Sequence, residues 1–458
     1  MPRLFGTDGV RGRAGHFPLD PPSVRRIGAA LVRSLRLDDG VVRLLVGRDT
    51  RKSGSWIERE LACGAQSQGA TVVGAGVVPT PAVAYLTPLK GYSAGVVISA
   101  SHNPFEDNGI KMFSGRGEKF TEAFERSVED VFADVGWMLP DGEAGPVDTV
   151  DLRAEYVSHL RRILPPDERL RGMSIVVDCA NGATSTVAPQ VFSELGLDVH
   201  CIGCAPDGRN INMESGSTAP ELLVRAVVEG GYHLGIAFDG DGDRVIFVDG
   251  LGHLVDGDAV MLLCAKQMKA ERRLKGDAVV ATVMSNIGLE LALREAEIGL
   301  VRSAVGDKYV MEEMIRRGLS LGGEQSGHVI FSEHLPTGDG LATALNVLRT
   351  IVASGRDLAD LASDMTVYPQ VLLNVRVPET IDLAEVPSIA AAIARVESRL
   401  AGSGRLLVRY SGTEPLLRVM LEGKDRTQIR SWGDEIVSAV NDHFVAARSG
   451  DATARSHS

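Results

Sequence analysis

A short apolar run that ends in a polar turn constrains this chain more than any other feature. Residues 95–100 are uncharged and rich in β-branched side chains, so they are predicted to form a buried strand. Ser101, His102 and Asn103 follow, and Pro104 stops the strand because it has no N–H to donate to a sheet. In open α/β sheets, ligands bind just beyond the carboxyl ends of the strands. A hydroxyl beside an imidazole at that place is the minimal pair for a nucleophile, although a plain turn explains the same residues.

Strand-like and helix-like segments alternate along most of the chain, and this alternation predicts the fold class. At 458 residues the chain is too long for one hydrophobic core. Alternating strands and helices predict βαβ units with mostly parallel sheets. Near the C-terminus the pattern changes to a few strands and two helices, which predicts a smaller α+β domain. The expected boundaries give three α/β domains over residues 1–153, 154–254 and 255–367, an α+β domain over 368–447, and a disordered tail over 448–458.

The charge balance restricts the partners that we expect. The formal net charge is −12, and such a field opposes binding to nucleic acids and to anionic membranes. A negatively charged substrate would need a local group of Arg and Lys, and Arg11, residues 47–51 and Lys111 supply one near predicted strand ends. The N-terminus lacks a basic and then apolar signal segment, and no apolar run is long enough for a membrane span. We therefore expect a cytoplasmic protein.

The acidic loop, residues 239–244, carries the strongest chemical signal. Asp239, Asp241 and Asp243 alternate with glycines directly after a predicted strand. Carboxylates so close together repel one another unless a cation binds them, and oxygen ligands suit hard divalent ions. The spacing does not fit a calcium EF-hand, which needs glycine at its sixth position and an acid at its twelfth. A short loop with few ligands leaves room for water or phosphate oxygens, which favours Mg²⁺.

A second loop suggests that the ligand carries phosphate. Residues 411–415 lie between two predicted strands, and their backbone N–H groups and hydroxyls are typical of an anion-binding turn. Arg409 precedes this turn and Arg418 follows it, and guanidinium groups bind phosphate through paired hydrogen bonds. A hairpin turn with charged edges is the alternative interpretation.

A third loop, residues 322–328, suggests a sugar. The carboxylate of Glu324 can accept hydrogen bonds from two neighbouring hydroxyls, and Ser326 and His328 add further donors and acceptors. The loop follows a short apolar strand, where a ligand site is expected. Taken by itself, an ordinary polar loop explains these residues as well.

Taken together, these motifs resemble those of the α-D-phosphohexomutases, and within them the bacterial phosphoglucosamine mutase branch. The family motifs occur in the family's order over nearly the whole chain, at residues 98–104, 239–244, 323–328 and 409–415 with Arg418. The glucosamine branch is indicated by residues 5–12, 282–286, 306–310 and Gln325. The resemblance implies a heart-shaped molecule with three similar α/β domains of mixed sheets and a smaller, mobile α+β C-terminal domain.

The resemblance also implies an activity. It implies an isomerase that interconverts glucosamine 6-phosphate and glucosamine 1-phosphate, in which a phosphorylated Ser101 gives its phosphoryl group to the sugar. The resulting sugar 1,6-bisphosphate turns around in the cleft, and its other phosphate returns to Ser101. The implied cofactors are one Mg²⁺ per active site and the bisphosphate as intermediate and activator. Such a reaction would feed synthesis of UDP-N-acetylglucosamine and peptidoglycan precursors, and the family suggests a homodimer.

The family pattern implies four groups of site residues in this sequence. The implied catalytic residues are Ser101, His102, Lys111, Arg11 and Arg244. The implied metal ligands are Ser101, Asp239, Asp241 and Asp243. The sugar would contact Glu324, Ser326 and His328. The phosphate that does not react would be bound by Arg409, Ser411, Gly412, Thr413 and Arg418.

Three alternative functions remain open from the sequence. A phosphomannomutase or phosphoglucomutase of the same superfamily would share the four family motifs, and it would differ at positions such as Gln325 that indicate the glucosamine branch. A phosphohydrolase of the haloacid dehalogenase type would use Asp239 as its nucleophile, and its labile aspartyl phosphate would differ from an acid-stable phosphoserine. A sugar-phosphate sensor without catalytic activity could keep the sugar and arginine loops, but it would not need Ser101 together with three metal carboxylates.

Overall fold

The computed structural model describes residues 4–6, 8–35, 40–139, 146–410 and 416–455, and it describes side chains as far as residue 445. The chain divides into two compact units. The first contains residues 1–285 and 293–364, and the second contains residues 286–292 and 365–458. The described strands form three sheets in the first unit and one sheet in the second. Among the described residues, no helix combines the length and the apolar character needed to cross a bilayer.

The first sheet has six strands with helices beside them. The strands are β1 (Val10–Arg13), β2 (Arg43–Arg48), β3 (Thr71–Val77), β4 (Ala94–Ile98), β5 (Asp107–Ser114) and β6 (Asp148–Thr149). The helices are α1 (Pro21–Leu35), α2 (Gly54–Ser67), α3 (Thr80–Leu89) and α4 (Glu122–Ala133). The order in the sheet is β1-β5-β4-β2-β3-β6. Strand β5 is antiparallel to both of its neighbours, β1 and β4, and the other described pairs are parallel. All five residues of β4 are buried, which explains the continuous apolar run in the sequence.

The second sheet has five strands, and its central hairpin carries the acidic loop. The strands are β7 (Ser174–Asp178), β8 (Asp198–Ile202), β9 (Leu234–Phe238), β10 (Val245–Asp249) and β11 (Leu254–Val255). The helices are α5 (Arg153–Leu160), α6 (Ala188–Glu194) and α7 (Glu221–Gly230). The order is β11-β10-β9-β7-β8, with β7 parallel to both of its neighbours. Since β9 and β10 are antiparallel and buried throughout, residues 239–244 form a short buried connection between them.

The third sheet has four strands in the order β13-β12-β14-β15. Residues 324–328, which we call the sugar loop after its predicted ligand, connect β14 to β15. The strands are β12 (Ala278–Thr282), β13 (Gly299–Ser303), β14 (Leu321–Gly323) and β15 (Val329–Phe331). The helices are α8 (Gly257–Ala270), α9 (Ile287–Glu295), α10 (Asp307–Arg317), α11 (Gly340–Ser354) and α12 (Leu358–Ala362). Helix α11 begins where the carboxylate of Asp339 accepts a hydrogen bond from the N–H of Ala342, which satisfies a free donor of the first turn.

The sheet of the second unit is smaller and entirely antiparallel, in agreement with the predicted α+β pattern. Its strands β16 (Gln370–Arg376), β17 (Gly404–Tyr410) and β18 (Leu416–Gly423) lie in the order β16-β18-β17. Its helices are α13 (Pro387–Leu400) and α14 (Arg426–Arg455). The sequence predicts a helix from residue 382, but α13 starts only at Pro387, because proline is tolerated in the first helical turn and disfavours helix in the residue before it. The predicted disordered tail, residues 448–458, overlaps the end of α14, and the side chains of these residues lie outside the described part of the chain.

Strand β5 carries Lys111. The sequence suggests that Lys111 lies a short loop beyond Ser101, and the structure places it after such a connection, within β5 and opposite Val97 of β4. Pro104 ends the run that begins in β4, and the chain then reverses so that β5 returns beside β4 in the antiparallel sense. The lysine therefore lies on a buried strand beside the strand that leads to Ser101.

Candidate active site

Ser101 occupies a tight turn directly after β4, as predicted. The residue is 1% exposed, and its φ of +54° lies in the left-handed region that side chains rarely adopt. Its hydroxyl donates a hydrogen bond to the carboxylate of Asp239. The Nδ1 atom of His102 lies 3.4 Å from the Ser101 Oγ. The turn therefore brings together the predicted nucleophile, the neighbouring imidazole and one of the predicted metal ligands.

A buried network of hydrogen bonds and an ion pair supports this turn. The hydroxyl of Ser99 accepts a hydrogen bond from the N–H of Ser101 at 3.0 Å and donates one to Asp49 at 2.5 Å. Asp49 also forms a buried ion pair with Arg51. Arg51 in turn donates to the carbonyl oxygens of Ser101 and Asn103. The backbone on both sides of the nucleophile is thus fixed by side chains from the ends of two neighbouring strands.

The three carboxylates of the acidic loop are buried together. Asp239, Asp241 and Asp243 each place one oxygen within 4.8 Å of the others. Burial, followed by the two neighbouring carboxylates, raises the pKa of Asp239 well above its usual value. The buried Oδ1 atoms of Asp241 and Asp243 accept no hydrogen bond from the described residues. Mutual repulsion and two buried oxygens that accept no hydrogen bond fit a hard divalent cation bound by this loop.

Lys111 provides a buried positive charge beside the loop. Its Nζ donates to Oδ2 of Asp241 at 2.8 Å and to Oδ2 of Asp243 at 2.9 Å. Burial opposes the charged form of Lys111, but these two carboxylates outweigh burial and raise its pKa well above the usual value. Burial also opposes the charge on Asp243, yet Lys111 prevails there and the pKa of Asp243 falls well below its usual value. The lysine is therefore held as a cation against two carboxylates.

Thr80 fixes the position of Asp241 by two hydrogen bonds. Its Oγ1 donates to Oδ2 of Asp241 at 2.6 Å, and its backbone N–H donates to the carbonyl oxygen of Asp241 at 2.8 Å. Thr80 is the first residue of α3, so a helix of the first sheet positions a loop of the second sheet. This residue was not among the predicted site residues.

A chain of charges continues from Lys111 toward solvent. The carboxylate of Asp8 lies 3.0 Å from the Lys111 Nζ, pairs with Arg11, and accepts a hydrogen bond from Lys119 at 2.6 Å. Arg11 Nη1 also lies 3.4 Å from Oδ1 of Asn103 in the nucleophile turn. The Arg11 side chain is 27% exposed, so it borders both the turn and solvent, as a residue that binds a ligand must.

Arg244, the last residue of the acidic loop, faces His102. Its Nη1 lies 3.0 Å from the Nδ1 of His102. Because arginine only donates hydrogen bonds, Nδ1 acts as the acceptor and carries no proton. Burial, and then the Arg244 charge, lower the pKa of His102. Both observations favour the neutral imidazole, whose Nδ1 accepts from Arg244 and lies 3.4 Å from the Ser101 Oγ.

The sugar loop, residues 324–328, is more open. Glu324 is half-buried, and its Oε1 accepts a hydrogen bond from the N–H of Gly306 at 3.0 Å. Ser326 is exposed. Both residues border solvent, so both are accessible to the hydroxyls of a bound sugar, and their predicted role stays a prediction.

His328 is placed differently from the other two predicted sugar residues. It is only 2% exposed. Its Nε2 accepts a hydrogen bond from the N–H of Gly338 at 3.1 Å, and its Nδ1 lies 3.6 Å from Oδ1 of Asp243. The ring therefore lies behind the acidic loop, and its predicted contact with the sugar remains untested.

The sugar loop is joined to the end of the acidic loop through the backbone. The N–H of Val245 donates to the carbonyl oxygen of Gly327 at 3.1 Å. Gly327 has a φ of +91°, and a Cβ at this position would lie 2.2 Å from the carbonyl oxygen of Val245. Only glycine permits this close approach between the second and third sheets.

In the second unit, Arg409 and Arg418 lie directly opposite each other in the ladder between β17 and β18. Residues directly opposite in such a ladder extend their side chains on the same face of the sheet. Like charges in this arrangement repel each other, and an anion such as phosphate would relieve that repulsion. The predicted phosphate-binding residues Ser411, Gly412 and Thr413 lie outside the described residues.

The first unit thus brings together Ser101, His102, Lys111, Arg11, Arg244 and the three carboxylates, as expected. Several residues of this centre were missed. Asp8 and Thr80 offered weak signals, since Asp8 stands near Arg11 and Thr80 follows a predicted strand. Asn212 donates hydrogen bonds to the carbonyl oxygens of Ser101 and Asn103 from a Gly- and Asn-rich loop that gave no functional signal.

Comparison with known families assigns the chain to one family in four parts. The family is phosphoglucomutase/phosphomannomutase, whose alpha/beta/alpha domains I, II and III and C-terminal domain match residues 2–137, 154–252, 256–368 and 372–439. A crystal structure of a phosphoglucomutase/phosphomannomutase family protein from Burkholderia thailandensis has a TM-score of 0.80 and 25% identity, and the match covers 96% of this chain and 97% of that one. The chain has the four-domain α/β architecture of this family.

Individual relatives narrow the assignment. A phosphoglucosamine mutase from Geobacter sp. (strain M21) is 48% identical over 446 residues, which cover 96% of this chain and 98% of the relative. A phosphoglucosamine mutase from Solibacter usitatus (strain Ellin6076) is 48% identical over 442 residues, which cover 95% of this chain and 98% of the relative. The chain therefore belongs to the bacterial phosphoglucosamine mutases of the phosphohexomutase superfamily.

Proposed function

We propose that this chain is an isomerase that interconverts glucosamine 6-phosphate and glucosamine 1-phosphate. Relatives with 48% identity over nearly the full chain carry the name phosphoglucosamine mutase. The observation that carries the chemistry is the hydrogen bond from the Ser101 hydroxyl to Asp239 in the buried acidic loop. A serine held against clustered carboxylates, with a neutral imidazole beside it, is arranged for phosphoryl transfer.

In the first half-reaction, phosphorylated Ser101 gives its phosphoryl group to a hydroxyl of the bound sugar monophosphate. The bond from phosphorus to the Ser101 oxygen breaks as a bond to the sugar oxygen forms. We assign His102 to transferring the proton from the sugar hydroxyl to the Ser101 oxygen, since its Nδ1 lies 3.4 Å from that oxygen. For this step Arg244, which donates to Nδ1 in the structure, must release that nitrogen as it turns to the transferring phosphoryl group. Lys111 and Arg244 stabilise the negative charge of the transferring group, and Arg11 adds charge at the solvent side.

We propose that Asp239, Asp241, Asp243 and the phosphate on Ser101 bind one Mg²⁺. The support is the pair of buried Oδ1 atoms that accept no hydrogen bond from the described residues, because Lys111 and Thr80 donate to the Oδ2 atoms of Asp241 and Asp243. When bound, the ion supplies charge neutralisation of the transferring phosphoryl group. Lys111 then keeps the two carboxylates in place while they provide ligand oxygens.

The second half-reaction reverses the first with the other phosphate of a sugar 1,6-bisphosphate. We propose that Glu324 and Ser326 bind the ring hydroxyls in both orientations. The phosphate that does not react is assigned to Arg409 and Arg418, together with Ser411, Gly412 and Thr413. On this scheme, added sugar 1,6-bisphosphate activates protein that has lost its phosphate, because it phosphorylates Ser101 directly.

The experiment is to follow glucosamine 6-phosphate by ³¹P NMR with the purified, full-length protein and Mg²⁺. We expect conversion to glucosamine 1-phosphate, and an acid-stable phosphate on Ser101 in peptide mass maps. Glucose 6-phosphate and mannose 6-phosphate serve as the comparison substrates. Faster turnover of either would make the protein a phosphoglucomutase or phosphomannomutase. Release of inorganic phosphate with an acid-labile phosphate on Asp239 would make it a phosphohydrolase.

The proposed activity also suggests a setting. Glucosamine 1-phosphate would supply synthesis of UDP-N-acetylglucosamine and then peptidoglycan precursors. The substrate and product carry a phosphate that does not cross an apolar bilayer unaided, so we propose that the enzyme acts in the cytoplasm. We propose a homodimer from the family relationship, and light scattering on the purified protein tests it.

A further inference from the structure

The backbone of Ser101 is held in a conformation that it would not keep by itself. A φ of +54° is unfavourable for a non-glycine residue, so the surrounding structure must impose it. Asn212 has a φ of +58°, and Ala180 and Asn181 have φ values of +52° and +48°. The backbone N–H of Asn212 donates to the carbonyl oxygen of Ala180 at 2.8 Å, so a hydrogen bond joins two of the segments that have positive φ values. Such outliers gather where geometry matters for function.

Two donors from different sheets converge on the same two carbonyl oxygens. From the first sheet, the Nη2 group of Arg51 donates to the carbonyl oxygens of Ser101 and Asn103, and the distance from Nη2 to the Ser101 oxygen is 3.2 Å. From the second sheet, Asn212 donates Nδ2 to the same two oxygens at 2.9 and 3.0 Å. Gly240 of the acidic loop packs against this junction, since a Cβ there would lie 2.6 Å from the Ser101 carbonyl oxygen.

We propose that Arg51 and Asn212 are positioning residues that hold the Ser101 backbone so that its hydroxyl faces Asp239. Neither residue touches the reacting atoms in this arrangement. They act through the Ser101 and Asn103 carbonyl oxygens, which they fix from opposite sheets. The proposal rests on the proposed function, because it concerns the orientation of the residue that carries the phosphoryl group.

Arg51 and Asn212, which together we call the clamp, have a clear use in this reaction. Ser101 gives away its phosphoryl group and receives another in each cycle, so its oxygen must return to the same place twice. The left-handed conformation would relax if the carbonyl oxygen were free, and the hydroxyl would then turn away from Asp239. Small errors in the position of a reacting group have large effects on rate, while they leave binding of the rest of the substrate unchanged.

Asn212 offers the sharper test, because it is half-buried and tolerates replacement better than Arg51, whose loss would leave Asp49 buried without its ion pair. Asn212→Ala removes the donor, and Asn212→Asp replaces it with an isosteric group that repels both carbonyl oxygens. We expect kcat to fall about tenfold for N212A and about a hundredfold for N212D, with KM for glucosamine 6-phosphate within about twofold of the unmodified protein. The rate at which glucose 1,6-bisphosphate phosphorylates Ser101, followed by intact mass, should fall by the same factors.

The matched control is Asn210→Ala. Asn210 lies in the same loop and is also half-buried, but its Nδ2 donates to the carbonyl oxygen of Ala205, at 3.0 Å. This variant should keep kcat, and its thermal midpoint reports the cost of a lost loop hydrogen bond. The clamp is wrong if N212A and N212D behave like N210A, or if their lost activity only follows a lost fraction of folded protein. If the unmodified protein is not phosphorylated on Ser101 at all, the proposed function fails instead.

Discussion

The acidic loop and the sugar loop both connect antiparallel strands at the end of a sheet, yet they treat charge in opposite ways. In the acidic loop the three carboxylates are at most 4% exposed and face the buried cation of Lys111. In the sugar loop Glu324 is half-buried and Ser326 is exposed. Buried charges held by opposite charges need no rearrangement of water when a reaction begins, whereas groups at the surface can exchange water for a ligand. Substitutions in the two loops should therefore change different kinetic constants.

The largest effect is expected at the nucleophile that faces the acidic loop. Ser101→Ala should lower kcat by a factor on the order of 10⁴ or more, because no other oxygen stands at this position to carry the phosphoryl group. The variant should fold, and glucose 1,6-bisphosphate should leave its intact mass unchanged. Activity within tenfold of the unmodified protein would remove Ser101 from the reaction.

The next effect tests the acidic loop itself. Asp241→Asn keeps an oxygen for the Thr80 hydrogen bond but removes one charge, so the loop should bind Mg²⁺ more weakly and kcat should fall about a hundredfold. Isothermal titration with Mg²⁺ and an assay at raised Mg²⁺ measure both effects. The control is Asp249→Asn, since Asp249 is equally buried at the far end of β10 and bonds to the backbone N–H groups of Leu251 and His253. Equal losses in both variants would mean that burial, and not metal binding, explains the effect.

The sugar loop should respond through KM. Glu324→Gln keeps an acceptor for the Gly306 N–H but loses the charge that attracts sugar hydroxyls, and a charged hydrogen bond is worth about 1–2 kcal/mol more than a neutral one. KM for glucosamine 6-phosphate should therefore rise about tenfold, with kcat changed less. Steady-state kinetics on the variant decide the matter. A fall in kcat at constant KM would erase the contrast between the two loops.

The smallest effect concerns a buried carboxylate that is held by uncharged donors. Asp339 accepts hydrogen bonds from the Tyr156 hydroxyl at 2.9 Å and from the N–H of Ala342 at 3.0 Å. Burial raises its pKa from 3.8 to about 6. Since the folded pKa lies above the unfolded one, the stability linked to the protonated form is complete below about pH 4 and is lost as the pH rises through 6.

Asp339→Asn keeps this position uncharged at every pH. The variant should therefore gain stability relative to the unmodified protein between pH 4 and pH 6, by at most about 3 kcal/mol. Urea unfolding of both proteins from pH 4 to pH 8 measures the difference. A difference that does not vary with pH would show that a buried carboxylate needs no opposite charge here, and the contrast between the loops would lose its electrostatic basis.

The parts of the site that the sequence predicts are those in which the functional residues directly follow a recognisable strand in the chain. Ser101 follows an apolar strand, and the three carboxylates follow another, so strand ends and residue types indicate them directly. The sequence likewise predicts two strands around a turn, and in the structure these strands form the ladder in which Arg409 lies opposite Arg418. Local pattern is sufficient in these cases because the chemistry and its scaffold are neighbours in the chain.

The parts that escaped prediction are produced by contacts between distant segments. Thr80 meets Asp241 across 161 positions of the chain, and Asn212 meets Ser101 across 111. Each is an ordinary polar residue in a loop or at a helix start, and only the folded arrangement of two sheets gives it a partner. His328 is a further case, since only the fold brings its Nδ1 to 3.6 Å from Oδ1 of Asp243, and its predicted contact with the sugar stays a prediction.

The glycine contact between the sugar loop and the acidic loop affects how the intermediate can move. Gly327 and Val245 approach so closely that no side chain fits between them, and a backbone hydrogen bond spans the junction. The sugar loop therefore cannot tilt away to follow a turning ligand without separating from the loop that carries the reaction. In the proposed reaction, the bisphosphate would therefore leave its contacts with the sugar loop and form them again in the opposite sense, so that release and rebinding replace a rotation in which the loop moves with the ligand.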